Sequence, residues 1–143
     1  MTEQEQRDRV CTEARGWLGT PYHHAARVKG AGVDCAMLLA EVYHAAGLIP
    51  HIDPRPYPHD WHLHRDAERY LGWVTQYALP VEQPGPGDVA VWKFGRTYSH
   101  GAICLGGRQI IHAYRGLGCV LGTLDDAELA GRDVRYYSLW AGV

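Results

Sequence analysis

The sequence has little net charge and no closely spaced cysteines, and both features exclude classes of protein. The formal net charge is -2, so no basic field would attract nucleic acid. The 4 cysteines are widely scattered, which favours free thiols over a disulfide framework. The sequence contains neither a C-x-x-C pair nor an H-E-x-x-H motif, so it offers no metal centre of the kind that these paired ligands form. We therefore expect no nucleic-acid partner.

Hydrophobic segments of the length needed for a membrane span or a signal peptide are also missing. The N-terminal stretch, MTEQEQRDR, is charged and has no apolar segment typical of secretion signals. We expect no membrane span, and synthesis in the cytoplasm without a signal peptide. The 143 residues suit one core, so a single domain is predicted over residues 1–143.

A glycine-rich loop leads into a predicted helix that begins at Cys35. Apolar residues recur after Cys35 at the spacing of one helical face, and Gly47 is placed to end the helix. Asp34 is predicted to cap its N-terminus. A helix N-terminus stabilises anions, so we expect an acidified Cys35 thiol, although the charge of Asp34 opposes this. A small buried core residue is the alternative interpretation of Cys35.

Helices are predicted first along the chain and strands afterwards. The helices are Glu3–Leu18, the Cys35 helix and a third that Asp60 caps and that continues to Val74; the proline-rich segment 50–58 is predicted to be extended. The strands are Val89–Trp92, Ser99–Leu105, Arg108–Tyr114, Gly118–Leu121 and Val134–Trp140, with a short helix over Leu124–Leu129. This order predicts an α+β domain whose antiparallel sheet packs against the Cys35 helix.

His100 and His112 lie in consecutive predicted strands and are the candidate partners of Cys35. A nucleophilic thiol needs a base and a third group that orients the base, but two separately packed histidines are equally consistent with the spacing. A two-residue turn at Gly106-Gly107 would place the histidines on opposite sheet faces. A three-residue loop, or an equivalent one-residue bulge, would place His100 directly opposite His112. A catalytic site therefore requires such a loop or bulge.

Five short runs, in order along the chain, resemble motifs of the NlpC/P60 family of cell-wall cysteine peptidases. They are Gly19-Thr-Pro-Tyr22, Val33-Asp-Cys-Ala36, Pro86-Gly-Asp88, Ser99-His-Gly-Ala102 and Ile110-Ile-His-Ala113. The resemblance implies a papain-like α+β fold, with N-terminal helices packed on a C-terminal antiparallel β-sheet. It implies Cys35 as the nucleophile, His100 as the general base and then acid, and His112 as the group that orients His100.

The same motifs supply the predicted residues for the oxyanion and the substrate. Tyr22 matches the active-site tyrosine of the family, and Asp34 and Ser99 adjoin the nucleophile and the base. No cofactor and no catalytic metal are expected. Ala36-Met37 stands where many members have Ser-Gly, and His23-His24-Ala25 stands where many have Trp-Gly-Gly, so the substrate groove is expected to differ.

Further runs resemble the compact branch of the family that phages and gene-transfer agents encode. These are Tyr22-His-His, Lys29-Gly-Ala-Gly and Tyr57-Pro-His-Asp-Trp-His. The resemblance implies peptidoglycan stem peptides as the substrate, cut between D-glutamate and a diamino acid. It also implies phage tail proteins as partners and a virion-associated or tail-associated enzyme that acts at the cell wall.

Two other functions stay open. The domain could be a structural tail component that has lost turnover, which a thiol of ordinary reactivity would favour. It could also be a metal-dependent hydrolase built on His59, His62 and His64, which loss of activity on chelation would favour. A solvated surface is the simpler interpretation of these three histidines, which lie in a polar stretch beside Asp60 and Arg65.

Overall fold

The computed structural model describes residues 1–57 and 68–142. The helices are α1 (Glu3–Arg15), α2 (Cys35–Ala45) and α3 (Arg69–Tyr77). The strands are β1 (Arg27–Val28), β2 (Gly32–Val33), β3 (Leu79–Val81), β4 (Val89–Phe94), β5 (Thr97–Gly106), β6 (Gln109–Tyr114), β7 (Gly118–Thr123) and β8 (Val134–Ser138). Within the described ranges, no helix has the length and apolar character needed to cross a membrane. The predicted α+β class is confirmed.

One six-stranded antiparallel sheet forms the centre of the domain. Its strand order is β3-β8-β4-β5-β6-β7, while β1 and β2 form a separate two-stranded ribbon ahead of α2. Strand β5 lies inside the sheet and is buried from Thr97 to Cys104. Because β5 carries His100 and adjoins β6, which carries His112, the candidate bases lie in the most protected part of the sheet.

Hydrophobic side chains cover both faces of this sheet. The helical-face core joins α1 and α2 to the sheet; its members include Val10, Ala14, Leu38, Val42, Ile103 and Ile111. The far-face core is smaller; its members include Ala90, Trp92, Ala102, Ile110, Leu124 and Leu129. Cys35 belongs to the helical-face core, so the start of α2 is fixed by packing as well as by its cap.

Helix α2 begins at Cys35 and is capped by Asp34, as predicted. Asp34 has an extended backbone, and its Oδ1 accepts a 2.9 Å hydrogen bond from the backbone N–H of Met37. This bond satisfies one of the unpaired N–H groups at the helix start. Gly47 follows the last turn with a φ of 78°, a left-handed value that favours glycine. Both ends of α2 are therefore set by local sequence.

Several predicted elements differ from the structure. The first helix ends at Arg15 and not at Leu18, because the N–H groups of Trp17 and Leu18 bond to carbonyls three residues earlier. The predicted helix Leu124–Leu129 is a turn. Helix α3 begins at Arg69 after Glu68, whose side chain makes no capping bond; the predicted cap, Asp60, lies outside the described residues. The edge strand β3 and the β1–β2 ribbon were not predicted.

The hairpin of β5 and β6 contains the bulge that a shared histidine face requires. Gly106 pairs with Gln109 around a two-residue turn, and the register then shifts so that Cys104 pairs with Ile110. Leu105 is the extra residue. The expected direct opposition of His100 and His112 was wrong, because this register brings His112 beside Ala102. Ala102 and His100 are two residues apart in β5, so their side chains lie on the same face of the sheet. His112, beside Ala102, is therefore a diagonal neighbour of His100 on that face.

Gly101 of β5 provides the space in which the Tyr70 ring of α3 lies. A Cβ atom built on Gly101 would come within 2.2 Å of the Tyr70 hydroxyl oxygen. We expect Gly101→Ala to lower the free energy of unfolding by about 1–3 kcal/mol, because overpacking forces the ring or α3 to move. Urea unfolding measures this change.

Gly72→Ala is the matched control, since nothing lies within 4 Å of a Cβ built there. It lies inside α3 and should raise stability by about 0.5–1 kcal/mol. Adding Tyr70→Phe to Gly101→Ala should recover part of the loss. Equal stability of Gly101→Ala and the wild type would contradict the close packing.

Candidate active site

Cys35 is the first residue of α2 and only 5% of its surface is exposed. Its thiol donates to the backbone carbonyl of Ser99, with an Sγ to O distance of 3.6 Å. Ser99 is the extra residue of a second bulge, because the register of β5 with β4 shifts between Trp92–His100 and Lys93–Tyr98. The thiol therefore lies against the peptide unit that joins Ser99 to His100.

The Cys35 thiol is not acidified, contrary to the prediction from the helix N-terminus. Burial, followed by the nearby Asp34 carboxylate, raises the pKa of Cys35 to about 12. The backbone N–H of Gly101, the Tyr70 hydroxyl and the backbone N–H of Cys35 act in the opposite direction but do not outweigh desolvation. The resting thiol is neutral near pH 7.

His100 and His112 form a hydrogen-bonded pair. His100 Nε2 lies 2.8 Å from His112 Nδ1, and the two rings meet edge to face. Burial lowers the pKa of both histidines; the neighbouring His112 lowers that of His100 further, whereas Glu128 and Asp126 oppose the shift at His112. Both rings are therefore neutral near pH 7, and one donates its single proton to the other.

The surroundings of His100 are aromatic. Its ring centroid lies 5.9 Å from that of Trp92, 5.5 Å from that of Phe94 and 5.3 Å from that of Tyr114. Trp92 pairs with His100 across β4 and β5 and belongs to the far-face core. Within the described residues no hydrogen bond joins Cys35 to His100, so the nucleophile and the base adjoin the same segment of β5 without direct engagement.

The Asp34 carboxylate connects three parts of the chain around Cys35. Its Oδ1 accepts from Met37, and its Oδ2 accepts from the backbone N–H of Ala25 at 2.7 Å and from the Tyr57 hydroxyl. Ala25 has a φ of 59°, a left-handed value that is unfavourable for a residue with a Cβ atom. The carboxylate thus holds the loop before α2, the helix start and the segment that contains Tyr57.

The other predicted substrate-binding residues also lie near Cys35. Tyr22 is half-buried and forms an isolated parallel bridge with Val33. Burial, with Cys35 and Asp34 nearby, raises the pKa of the Tyr22 phenol, so its hydroxyl keeps its proton and can donate. Ser99 is buried and bonds to Cys35 through its carbonyl. The structure therefore brings Tyr22, Asp34 and Ser99 together around the thiol.

Sequence reasoning missed two tyrosines that contact this site. The Tyr70 hydroxyl donates to the Cys35 carbonyl at 2.9 Å, and the Tyr57 hydroxyl donates to Asp34. Tyr70 falls in the predicted third helix and Tyr57 in the predicted extended segment 50–58, and neither assignment indicates a contact with α2. The histidines of the alternative metal site, His59, His62 and His64, lie outside the described residues.

Comparison with protein families identifies the class of protein that this fold defines. The model of the NlpC/P60 family matches residues 19–128, and the chain belongs to this family. The matched range contains Cys35, His100 and His112. The comparison with curated proteins finds no match.

Solved structures share the fold at low sequence identity. The NlpC/p60 domain of the peptidoglycan hydrolase SagA is 23% identical with a TM-score of 0.62, over 90% of this chain and 96% of that domain. NlpC1 from Trichomonas vaginalis is 16% identical with a TM-score of 0.67, over 96% of this chain and 44% of its own. Rv1477, a hypothetical invasion protein of Mycobacterium tuberculosis, is 21% identical with a TM-score of 0.59, over 95% of this chain and 62% of its own.

The high pKa of Cys35 predicts slow alkylation in the free protein. Between pH 7 and 8 we expect iodoacetamide to modify the half-buried Cys11 before Cys35, because the thiolate is the reactive form. The Cys35 rate should rise about tenfold per pH unit until the pH nears the pKa. Peptide mapping by mass spectrometry separates the sites, with the buried Cys104 and Cys119 as internal controls. Modification of Cys35 first at pH 7 would contradict a raised pKa.

Removal of the Tyr57 hydroxyl should destabilise the domain more than removal of a comparable neutral bond. Tyr57→Phe deprives the buried Asp34 carboxylate of a donor, and we expect a loss of about 1.5–3 kcal/mol. In the control, Tyr43→Phe removes a 2.7 Å bond to the neutral Gly87 carbonyl and should cost about 0.5–1.5 kcal/mol. Urea unfolding ranks the two variants, and a smaller loss for Tyr57→Phe would argue against Asp34 as the central acceptor.

Proposed function

We propose that this chain is a cysteine peptidase that hydrolyses amide bonds in peptidoglycan stem peptides. The observation that carries the proposal is the 2.8 Å contact between His100 and His112, in a chain of the NlpC/P60 family whose Cys35 thiol donates to the carbonyl of Ser99, the residue before His100. A nucleophile, a base and a group that orients the base are the parts that acyl transfer by a thiol requires. SagA, a peptidoglycan hydrolase by name, supports the substrate class.

The proposed nucleophile starts as a thiol, and His100 acts as a general base during attack. Because the resting thiol and imidazole are both neutral, the proton moves from Sγ to His100 as Sγ bonds to the amide carbon. His100 can accept it at Nδ1 when its Nε2–H donates to His112 Nδ1. Contacts of this kind are often long in the free enzyme and shorten with substrate bound.

The acyl transfer is completed by the same groups. The backbone N–H of Cys35 and the Tyr22 hydroxyl are the proposed donors to the oxyanion of the tetrahedral intermediate. The imidazolium of His100 then protonates the departing amine as the C–N bond breaks and a thioester remains on Cys35. Water, deprotonated by His100, attacks the thioester and releases the carboxylic acid and the free thiol.

The bond cut and the biological setting form the finer part of the proposal. We propose cleavage between D-glutamate and a diamino acid, by an enzyme carried on a phage tail to the cell wall. The runs Tyr22-His-His and Lys29-Gly-Ala-Gly support this branch by resemblance. Mass spectrometry of the released fragments identifies the bond.

A digest of purified peptidoglycan tests the activity. The wild type should release stem-peptide fragments in the presence of EDTA, and Cys35→Ala should reduce the rate by roughly 10³-fold or more, because the covalent route is lost. His100→Ala should cost about 10²–10⁴-fold. Cys11→Ala is the matched control, since this thiol contacts the Cys104 carbonyl and lies outside the site.

Each result of the digest has a defined meaning. Activity that survives in Cys35→Ala would contradict the cysteine mechanism. Activity that vanishes with EDTA and returns with zinc would favour the hydrolase built on His59, His62 and His64. A folded wild type without any turnover would favour the structural tail component, for which the raised pKa of Cys35 is the supporting observation.

A further inference from the structure

His112 carries a ring nitrogen that the histidine pair does not use. Its Nδ1 bonds to His100, whereas its Nε2 is buried and has no hydrogen-bond partner among the described residues. The residue is 0% exposed. A buried polar atom without a hydrogen-bond partner destabilises the folded protein by about 1–3 kcal/mol. A bound ligand or a functional role would explain why such an atom is present.

Two carboxylates lie close to the His112 ring, and that of Asp126 lies near Nε2. Asp126 and Glu128 belong to the turn that follows β7, and a ligand atom of each lies within 4.8 Å of the other and of a His112 ring nitrogen. Neither carboxylate forms an ion pair among the described residues, although the adjacent Asp125 pairs with Arg108. Among the residues that the structure describes, the Asp126 oxygens accept only from the backbone N–H and hydroxyl of Thr123, each at 3.1 Å. Both carboxylates therefore retain free lone pairs.

Gly122 of β7 leaves the space between these groups open. A Cβ atom built on Gly122 would lie 2.4 Å from Asp126 Oδ2 and 3.4 Å from His112 Nε2. Asp126 Oδ2 and His112 Nε2 therefore both lie close to the Cα atom of Gly122. Any larger residue at position 122 would push the carboxylate away from the imidazole.

We propose that His112 Nε2, Asp126 and Glu128 bind a divalent transition-metal ion of the zinc type. One imidazole and two carboxylates form a ligand set that Zn²⁺ accepts, with a water molecule as the fourth ligand. Ligands at about 2.1 Å from one tetrahedral ion lie roughly 3.4 Å apart, so groups that lie within 4.8 Å of one another need to approach by at most about 1.4 Å. Both carboxylates are half-buried on a turn, where such a movement is small.

The metal would inhibit the enzyme, and this consequence rests on the proposed function. A metal on Nε2 leaves the single proton of neutral His112 on Nδ1, which then donates to His100 Nε2. The proton of neutral His100 must then reside on its Nδ1, the nitrogen proposed to accept the Cys35 proton. The ion thus holds the histidine pair in the tautomer that cannot act as a base, without contact to Cys35 or substrate.

Metal binding is tested without reference to activity, on full-length Cys35→Ala protein so that this thiol cannot act as a ligand. Titration with Zn²⁺ by calorimetry, and with Co²⁺ by visible absorption, should show one site with nitrogen and oxygen ligation and no thiolate charge-transfer band. Glu128→Gln, Asp126→Asn and His112→Asn should each weaken binding by roughly 10–100-fold or more, since even indirect partners of metal ligands contribute that much. The matched control Asp125→Asn should bind as tightly as the parent. No stoichiometric binding, or binding unchanged in Glu128→Gln, would overturn the site.

Inhibition is tested separately on protein with Cys35 intact. Zn²⁺ should suppress hydrolysis by the wild type and by Asp125→Asn, while Glu128→Gln, compared with its own metal-free rate, should resist Zn²⁺ by the factor lost in binding. Equal inhibition of Glu128→Gln and the wild type would place the inhibitory ion elsewhere, on Cys35 for example, and overturn the tautomer mechanism. If no variant hydrolyses peptidoglycan, the proposed function fails while the binding titration still decides the metal site.

Discussion

The buried carboxylate of Asp34 fixes the position of the candidate nucleophile. It accepts hydrogen bonds from the loop at Ala25, from the first turn of α2 at Met37 and from Tyr57, which lies in a segment without regular secondary structure. A buried anion is tolerated only when such donors surround it. The same charge opposes ionisation of the adjacent Cys35 thiol. Burial is the main cause of the raised pKa of Cys35, and the group that positions the nucleophile adds to it. The site therefore depends on a base to remove the proton of the thiol.

The histidine pair meets that demand because it is held neutral. Burial among Trp92, Phe94 and Tyr114 disfavours the imidazolium of His100, and the contact with His112 couples the tautomers of the two rings. A neutral thiol with a neutral imidazole as its proposed base resembles a hydroxyl nucleophile with its base more than a preformed thiolate–imidazolium pair. In such a site the proton transfer belongs to the chemical step and not to the resting state.

Local sequence determined much of the fold. The cap at Asp34, the start of α2 and the strands around His100 and His112 follow from residue type and spacing, and the demand for a bulge followed from the alternation of side chains alone. Other features depend on tertiary contacts that spacing does not encode. Strand β3 is short, contains Pro80 and lies at the sheet edge, so its pairing with β8 has no periodic signal.

The protonation states of the site residues were harder to predict from the sequence than which residues form the site. The pKa of Cys35 is set by desolvation, which depends on how β5, Tyr70 and Asp34 enclose the thiol. A helix N-terminus can be recognised in a sequence, but the loss of water around it cannot. The same limit applies to Tyr57 and Tyr70, whose hydroxyls reach the site from segments distant in sequence. Sequence therefore indicated that His100 and His112 could meet, and the structure indicates their protonation states.

The bulge at Leu105 has a consequence for how this hairpin can change during evolution. Without the extra residue, the register that starts at Gly106 and Gln109 would bring His112 beside Ile103, on the face opposite to His100. Insertion or deletion of one residue between the histidines places them on opposite faces of the sheet, whereas a change of two residues keeps them on the same face. Natural length variation in this hairpin should therefore occur in steps of two residues, which makes the parity of loop length, rather than the identity of its residues, the property under selection.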